Sequence, residues 1–409
     1  MNNTRLVVID GVRTPFCKSG TELASLGADE LGRVAVDALI TRTGLDPALV
    51  DEVIFGCVSQ PAEAANIARV IALRAGIPES VPAATVHRNC ASGFEAITAA
   101  AERMAAGSGS VFIVGGAESM SKVPLLFRDE TAKKLTAWSK SKTAKRKIAA
   151  LSEFRPADFT PRAGLKLGLT DPVSGLNMGE TAELLARENN ITREAQDAFA
   201  LRSHERALEA EVRLAAEICP VYAPGKPVQR DNGPRTDQTP AVLGGLRPVF
   251  DKYGSVTAGN SSQISDGAVA LLVATEERAA ALGFKPLGVL TAYAYAGCDP
   301  ARMGLGPVHA IDRVAKRSGL MPDDADIVEI NEAFAAQVLA VLQRVRIPDE
   351  KLNVNGGAIA LGHPVGATGA RLVLTALKEL ARRDARRALV TLCVGGGQGG
   401  AIWLERPAP

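Results

Sequence analysis

Three short stretches carry side chains able to take part in one reaction. The first is Asn89-Cys90-Ala91-Ser92-Gly93, between an apolar run at 81–86 and an Ala-rich run at 94–101. Those runs read as a strand and a helix, so Cys90 stands just before a helix start. The positive end of the helix dipole favours thiolate there, and the small neighbours leave room for a carbonyl to approach. A cysteine is equally a small buried hydrophobe, and this window alone leaves both readings open. The second stretch, 355–369, holds His363. Of the four histidines, His87, His204, His309 and His363, it alone is enclosed by glycines and proline. Glycine at that density serves unusual backbone angles or close ligand approach; a turn-stabilising histidine is the plainer alternative. The third is Cys393-Val394-Gly395-Gly396-Gly397-Gln398-Gly399. Here an apolar strand ends at a thiol, followed by glycine N–H groups able to face an anion; a buried strand cysteine is the plainer alternative. No helix follows these glycines and no P-loop lysine, so they are not a nucleotide fingerprint.

What must position these residues is an internal repeat. Gly44-Leu45-Asp46-Pro47 leads through Asp51 and Val53 into a strand, and Gly319-Leu320-Met321-Pro322 leads through Asp326 and Val328 into another. Each segment reads as a helix stopped by glycine, a short turn and a strand. Further on, Gly93 opens an Ala-rich helix followed by strand 110–116. Gly369 opens a helix through Leu372 and Leu377 followed by strand 388–393. Strand–helix–strand order with apolar strands predicts parallel sheets covered by helices. The reading is of two similar α/β halves, and duplication brings the three loaded stretches to equivalent strand ends at a pseudo-twofold centre. The boundaries are 1–121 for the first half, 122–255 for an inserted loop domain, 256–274 for a return to the first half, and 275–409 for the second.

The 409 residues include 47 Lys and Arg against 45 Asp and Glu, a net charge of +2. That balance and 4% aromatic content argue against a nucleic-acid partner. The six cysteines, Cys17, Cys57, Cys90, Cys219, Cys298 and Cys393, show no CxxC spacing. They point to a reducing, cytoplasmic setting and not to a metal ribbon. No signal peptide or membrane-spanning run is expected.

With these motifs in order, the chain resembles the thiolases over nearly its whole length. The motifs are Asn89-Cys90-Ala91-Ser92-Gly93, 115–121, 254–262, Asn331-Glu332-Ala333-Phe334, Gly362-His363-Pro364 and Cys393-Val394-Gly395-Gly396-Gly397. The resemblance implies an α/β thiolase fold: five layers, αβαβα, from two similar halves with a loop domain. It implies acyl transfer between coenzyme A and acetyl-CoA, with no metal. By family position Cys90 is the nucleophile, His363 its base, and Cys393 the second proton-transfer group. The resemblance implies that His363 and a water on Asn331 hold one oxyanion, and that the N–H groups of Cys90 and Gly395 hold the other. A side chain at Gly395 is expected to crowd that oxyanion. Carry-over places Arg235, Phe250, Ala258, Ser262, Met303 and Phe334 along the coenzyme A. It puts Asn177 and Met178 in the substrate pocket, Asn177 standing where many thiolases have His.

Within the loop domain, Lys133, Lys134, Lys140, Lys142, Lys145, Arg146 and Lys147 are interleaved with Leu135, Trp138, Ile148 and Leu151 at near-helical spacing. The segment 131–151 reads as a basic amphipathic helix suited to an anionic membrane or a partner; a solvated face that draws in anionic coenzyme A is the plainer alternative. This stretch, with 66–69 and 154–159, resembles the thiolase subunits of fatty-acid-oxidation complexes. Those pair with a hydratase/dehydrogenase subunit. The expectation is a 3-ketoacyl-CoA thiolase of fatty-acid β-oxidation, forming a homodimer or homotetramer. The alternative is a biosynthetic acetyl-CoA acetyltransferase making acetoacetyl-CoA. A decarboxylating ketoacyl synthase would lack the second cysteine before a glycine run, and a non-catalytic relative would be expected to lose one of the three residues.

Overall fold

The computed structural model describes residues 5–407. The main strands are β1 (Leu6–Arg13), β2 (Glu52–Gly56), β3 (Ala83–Val86), β4 (Val111–Ser119), β5 (Ser265–Thr275), β6 (Gly288–Gly297), β7 (Ile327–Ile330), β8 (Arg387–Val394) and β9 (Gln398–Glu405). The main helices are α1 (Ala28–Thr43), α2 (Ile67–Arg74), α3 (Ser92–Ala105), α4 (Asp129–Lys140), α5 (Ala144–Ser152), α6 (Met178–Glu188), α7 (Arg193–Glu209), α8 (Gly306–Ser318), α9 (Ala335–Leu342) and α10 (Val365–Arg383).

Local chemistry sets the repeat. Gly44 ends α1 at φ 65° and Gly319 ends α8 at φ 75°, the left-handed stop that glycine adopts without strain. The Asp51 carboxylate accepts from the N–H groups of Ser110 and Val111 at the start of β4. The Asp326 carboxylate accepts from those of Arg386 and Arg387 at the start of β8. The matched aspartates therefore seat equivalent strands.

Side chains alternate across each sheet and build three cores. Val53 and Phe55 join Leu31, Val36 and Leu39 of α1 on an outer face. Ile54 faces the other way, into a middle core where Phe94 and Ile97 of α3 meet Leu372 and Leu377 of α10. That core also receives Val390, Ile402 and Leu404 from the second half's strands. Leu389 and Trp403 face outward, onto Ile311 and Val314 of α8. The result is helix, sheet, helix, sheet, helix: the expected five layers.

Within each half the sheet is mixed, where the sequence predicts parallel strands. β3, β2 and β4 run parallel, while β4–β5 and β5–β1 are antiparallel. The second half repeats this, with β7–β8 parallel and β8–β9 and β9–β6 antiparallel. The reason is visible at the turn from β8 to β9. It spans only Gly395-Gly396-Gly397, too short for the crossover that parallel strands need. The halves also join edge to edge through Val7–Val289 and Val8–Gly288 of β1 and β6, so the two sheet layers share hydrogen bonds along one path of nine strands, and a short tenth strand, Cys17–Lys18, pairs with β5.

Two further boundaries differ from the sequence reading. Gly369 does not open its helix; α10 starts at Val365. Gly369 instead lies where α10 crosses α3. A Cβ on Gly369 would come within 2.6 Å of Phe94 N, and one on Gly93 within 2.6 Å of Ala370 N. The basic segment 131–151 is not one helix. Ser141 leaves helical geometry and Thr143 caps a second helix, its hydroxyl accepting from Arg146 N. Ile148 and Leu151 of α5 are exposed. The segment between β4 and β5, two neighbouring antiparallel strands, carries α4 to α7. Before β5 begins, Ser262 N donates to Ala333 O, and Ala335 N to Asn260 O. No helix among the described residues is long and apolar enough to cross a membrane.

Candidate active site

Cys90 lies in the turn from β3 to α3. Asn89 before it takes φ 43°, a left-handed angle that Asn tolerates better than most residues. The Asn89 amide Nδ2 donates to Gly395 O at 2.7 Å, fastening this turn to the glycine turn of the other half. Ser92 braces it from the other side: its hydroxyl donates to Asn89 O at 2.7 Å and accepts from Arg88 N at 2.9 Å. The backbone N–H groups of Gly395 and of Cys90 itself favour charge on the Cys90 sulfur, yet burial outweighs them and pushes the thiol above its usual range. The helix start therefore does not make Cys90 a resting thiolate, as the sequence alone suggests. We expect iodoacetamide alkylation of Cys90, measured by peptide mass, to accelerate steadily toward alkaline pH. A rate already at plateau by pH 6 would reveal a preformed thiolate.

Cys393 is the last residue but one of β8, opposite Gly399, and is fully buried. Burial, and then the charge of a nearby Cys90 thiolate, push its thiol well above the usual range. The two sulfurs thus resist ionising together.

His363 is set by its neighbours. Gly362 takes φ 100°, and a Cβ there would lie 2.3 Å from Ser265 Oγ, so only glycine lets the chain pass. Pro364 then leads into α10. His363 Nδ1 lies 2.6 Å from Thr368 Oγ1, and Nε2 lies 3.4 Å from Asn331 Nδ2. Burial and, after it, the positive Arg371 lower the imidazole to about 4, so it is neutral and able to accept a proton at neutral pH. Asn331 follows β7, its N–H bonded to Thr391 O at 3.0 Å; its buried Oδ1 has no partner among the described protein atoms.

Cys90, His363, Cys393 and Gly395 line one cavity of about 540 Å³, together with Met178, Ser262, Met303 and Phe334. Its far wall is Leu165, Leu167, Leu169 and Val173 of the inserted segment. A second cavity of about 570 Å³ shares Leu165, Leu169, Met178, Ser262, Phe334 and His363 with the first, and opens past Phe250, Ala258, Asn177 and Lys18. The two arms meet at His363. Phe250 stands edge-on to Phe334, centroids 6.1 Å apart, and a Cβ on Gly179 would lie 2.3 Å from the Phe250 ring. That glycine lets α6 seat the aromatic wall.

Three of the expected site residues show further detail. Arg235 is exposed and lines neither arm; its backbone N–H donates to His204 Nδ1 at 3.2 Å. Asn177 borders the second arm, and its side chain also caps α6. Its Oδ1 accepts from Gly179 N at 3.0 Å while the Glu180 carboxylate accepts from Asn177 N at 2.6 Å. Asn177-Met178-Gly179-Glu180 is a capping box, and that spacing is legible in the sequence. At Gly395 a Cβ would meet Met178 Sδ at 3.5 Å and Asn89 Nδ2 at 3.7 Å, ordinary contact distances. The tight glycine of the turn is Gly397, at φ 79° with a Cβ 2.4 Å from Cys298 O.

Glu118 was not singled out by sequence reasoning. Its buried carboxylate accepts from the N–H groups of Val58 (3.0 Å), Ser59 (2.8 Å) and Gly366 (2.9 Å). It ties the end of β4 to the first turn of α10, behind His363. Glu332 does similar work, accepting from Ser203 Oγ (2.6 Å), Asn353 Nδ2 (2.8 Å) and Ile359 N (3.2 Å). The available signal was an acid at or just past the end of an apolar strand, where only a bonded carboxylate is tolerated.

A family profile described as "Thiolase, N-terminal domain" matches residues 6–277, and "Thiolase, C-terminal domain" matches 284–406. An acetyl-CoA acetyltransferase of Cupriavidus necator is 41% identical, covering 98% of this chain and 100% of that protein. The 3-oxoadipyl-CoA/3-oxo-5,6-dehydrosuberyl-CoA thiolase of Escherichia coli is 42% identical, covering 98% of each. The solved structure of human mitochondrial 3-ketoacyl-CoA thiolase in complex with CoA superposes with a TM-score of 0.90 at 36% identity, covering 99% of this chain and 98% of that one.

Proposed function

The chain belongs to the thiolase family, and on that premise we propose that it is an acyltransferase that cleaves 3-oxoacyl-CoA with coenzyme A into acetyl-CoA and a shortened acyl-CoA. The observation that carries this is the meeting of Cys90, His363 and Cys393 on one cavity. Thiolate both attacks carbonyl carbon well and leaves well, so an acyl-enzyme splits one hard carbon–carbon cleavage into two easier steps.

In the first half-reaction the Cys90 S–H bond breaks and its proton moves to His363 Nε2. The thiolate attacks the 3-oxo carbon, and the backbone N–H groups of Cys90 and Gly395 stabilise the oxyanion. The C2–C3 bond then breaks, its electron pair leaving on the acetyl-CoA enolate. The Cys393 thiol gives its proton to that carbon, while His363 and Asn331 face the enolate oxygen. In the second half-reaction Cys393 thiolate takes the proton of incoming coenzyme A, whose sulfur attacks the acyl-enzyme. Cys90 leaves as thiolate and recovers its proton from His363.

The arm past Phe250, Ala258 and Ser262 is assigned to the pantetheine of coenzyme A. Support comes from its continuity with the reacting residues and from the CoA complex of the human relative. The arm that continues past Leu165 and Leu169 to Leu167 and Val173 is assigned to the acyl chain, because those last two apolar residues line it alone and it reaches well beyond an acetyl group. This favours fatty 3-oxoacyl substrates in the degradative direction. The relatives named acetyl-CoA acetyltransferase support a second reading, the same steps run backwards to make acetoacetyl-CoA.

Thiolysis rate against acyl length separates the two. We expect kcat/KM to rise by about 10-fold or more from four to ten carbons, as each added methylene buried in an apolar wall contributes about 0.8 kcal/mol until the arm is filled. Turnover confined to four carbons would favour the biosynthetic reading.

A further inference from the structure

We propose that Thr368 is a positioning residue that holds His363 as the Nδ1–H tautomer, leaving Nε2 bare for the Cys90 proton; this rests on reading His363 as the base. Thr368 sits in the first turn of α10 and is fully buried, so its hydroxyl must find its partners within the protein. The hydroxyl has one proton. Pro364 O, one helical turn back, accepts it at 2.9 Å. What the oxygen then presents to His363 Nδ1, at 2.6 Å, is a lone pair, so Nδ1 must carry a hydrogen. On the other side of the ring, the Asn331 amide nitrogen approaches Nε2 at 3.4 Å with hydrogens of its own. That approach suits a bare nitrogen and opposes an N–H. The opposite tautomer would set donor against donor at Asn331 and pull the threonine proton away from Pro364. Both neighbours therefore select one tautomer.

The consequence for proton transfer is direct. When the Cys90 S–H bond breaks, an Nε2–H bond forms, and the ring becomes an imidazolium with both nitrogens protonated. The Nδ1–H to Thr368 bond is already in place and strengthens as the ring gains charge. No tautomer exchange has to precede the step. Thr368 touches neither substrate nor the reacting sulfur, so its effect runs through His363 alone.

The test compares Thr368→Val and Thr368→Ser, each alone and combined with His363→Ala. Valine keeps the shape and removes the hydroxyl; serine restores it. We expect Thr368→Val to lower kcat for thiolysis about 30-fold, within the range of general-base effects, with KM for coenzyme A changed less than about 2-fold. Thr368→Ser should recover to within about 3-fold of the parent. In the His363→Ala background Thr368→Val should cost nothing further, since its route of action is gone. A Thr368→Val enzyme with parental kcat, or one losing the same factor without His363, overturns the proposal. A His363→Ala enzyme with parental kcat overturns the reading of the base, and this proposal with it. A measurement on the unmodified protein guards against misfolding of the valine variant. In ¹⁵N spectra the His363 ring, identified by its loss in His363→Ala, should show protonated Nδ1 and bare Nε2. A predominant Nε2–H form overturns the proposal.

Discussion

Replacing Cys90 by serine is expected to abolish thiolysis of acetoacetyl-CoA and of a medium-chain 3-oxoacyl-CoA alike, by at least about 10,000-fold. The size follows from the base. His363 is lowered to about 4 by burial and Arg371, so it accepts a proton reluctantly. A thiol is within its reach because its sulfur, though raised by burial, is met by the N–H groups of Cys90 and Gly395. A serine hydroxyl, far less acidic and equally buried, is not. The change is nearly isosteric, so fold and substrate binding should survive; KM and the thermal midpoint should move little. The direct check is denaturation after mixing with radiolabelled acyl-CoA. Label bound to the parent protein and absent from Cys90→Ser is the expected outcome. Undiminished turnover would remove Cys90 from its role.

Cys393→Ala is expected to split the two halves of the reaction. Acyl transfer from a saturated acyl-CoA to Cys90 needs no carbon acid, so the labelled acyl-enzyme should still form. Exchange of the acetyl-CoA α-proton with deuterated water should fall by about 1,000-fold, the scale of a lost general acid–base group. Cys393 is fully buried and raised well above the usual thiol range, so its proton is retained until a strongly basic carbon is generated beside it. Retained exchange in the alanine variant would assign the proton transfer elsewhere. The variant also relieves the opposition between charges on the two sulfurs. Alkylation of Cys90 in it should therefore be no slower than in the parent.

Features written in short windows were legible in the sequence. The stops at Gly44 and Gly319 and the turns after them need only local backbone angles, and they marked the two halves. The three loaded stretches were found by residue type, and they do meet on one cavity. What escaped was decided at a distance. The start of α10 at Val365 was hidden because Val365-Gly366-Ala367 has weak helical character; Glu118, some 250 residues earlier, satisfies the Gly366 N–H. The antiparallel strands inside each half depend on pairing partners that no window shows. The break between α4 and α5 was masked because the apolar spacing continues across Ser141-Lys142-Thr143. The capping role of Asn177, which also lines the second arm, lay in its own neighbours, Gly179 and Glu180, and was passed over in favour of its family position.

The two antiparallel turns of the pseudo-repeat have opposite fates. Between β8 and β9 the chain turns in three glycines; between β4 and β5, the equivalent place, it makes its long excursion. One turn has been kept minimal and supplies backbone donors to the reacting atoms. The other has expanded into the segment that brings Leu165, Leu167, Leu169 and Val173 to the cavity. The glycine turn and the apolar wall are thus placed at symmetry-related turns on separate halves, while Cys90 stands in the half that carries the excursion. Under selection, the excursion can be lengthened, trimmed or re-lined without moving the sulfurs or the imidazole. Such a layout leaves the reacting residues in place while the apolar wall is re-lined by changes confined to a single stretch of chain.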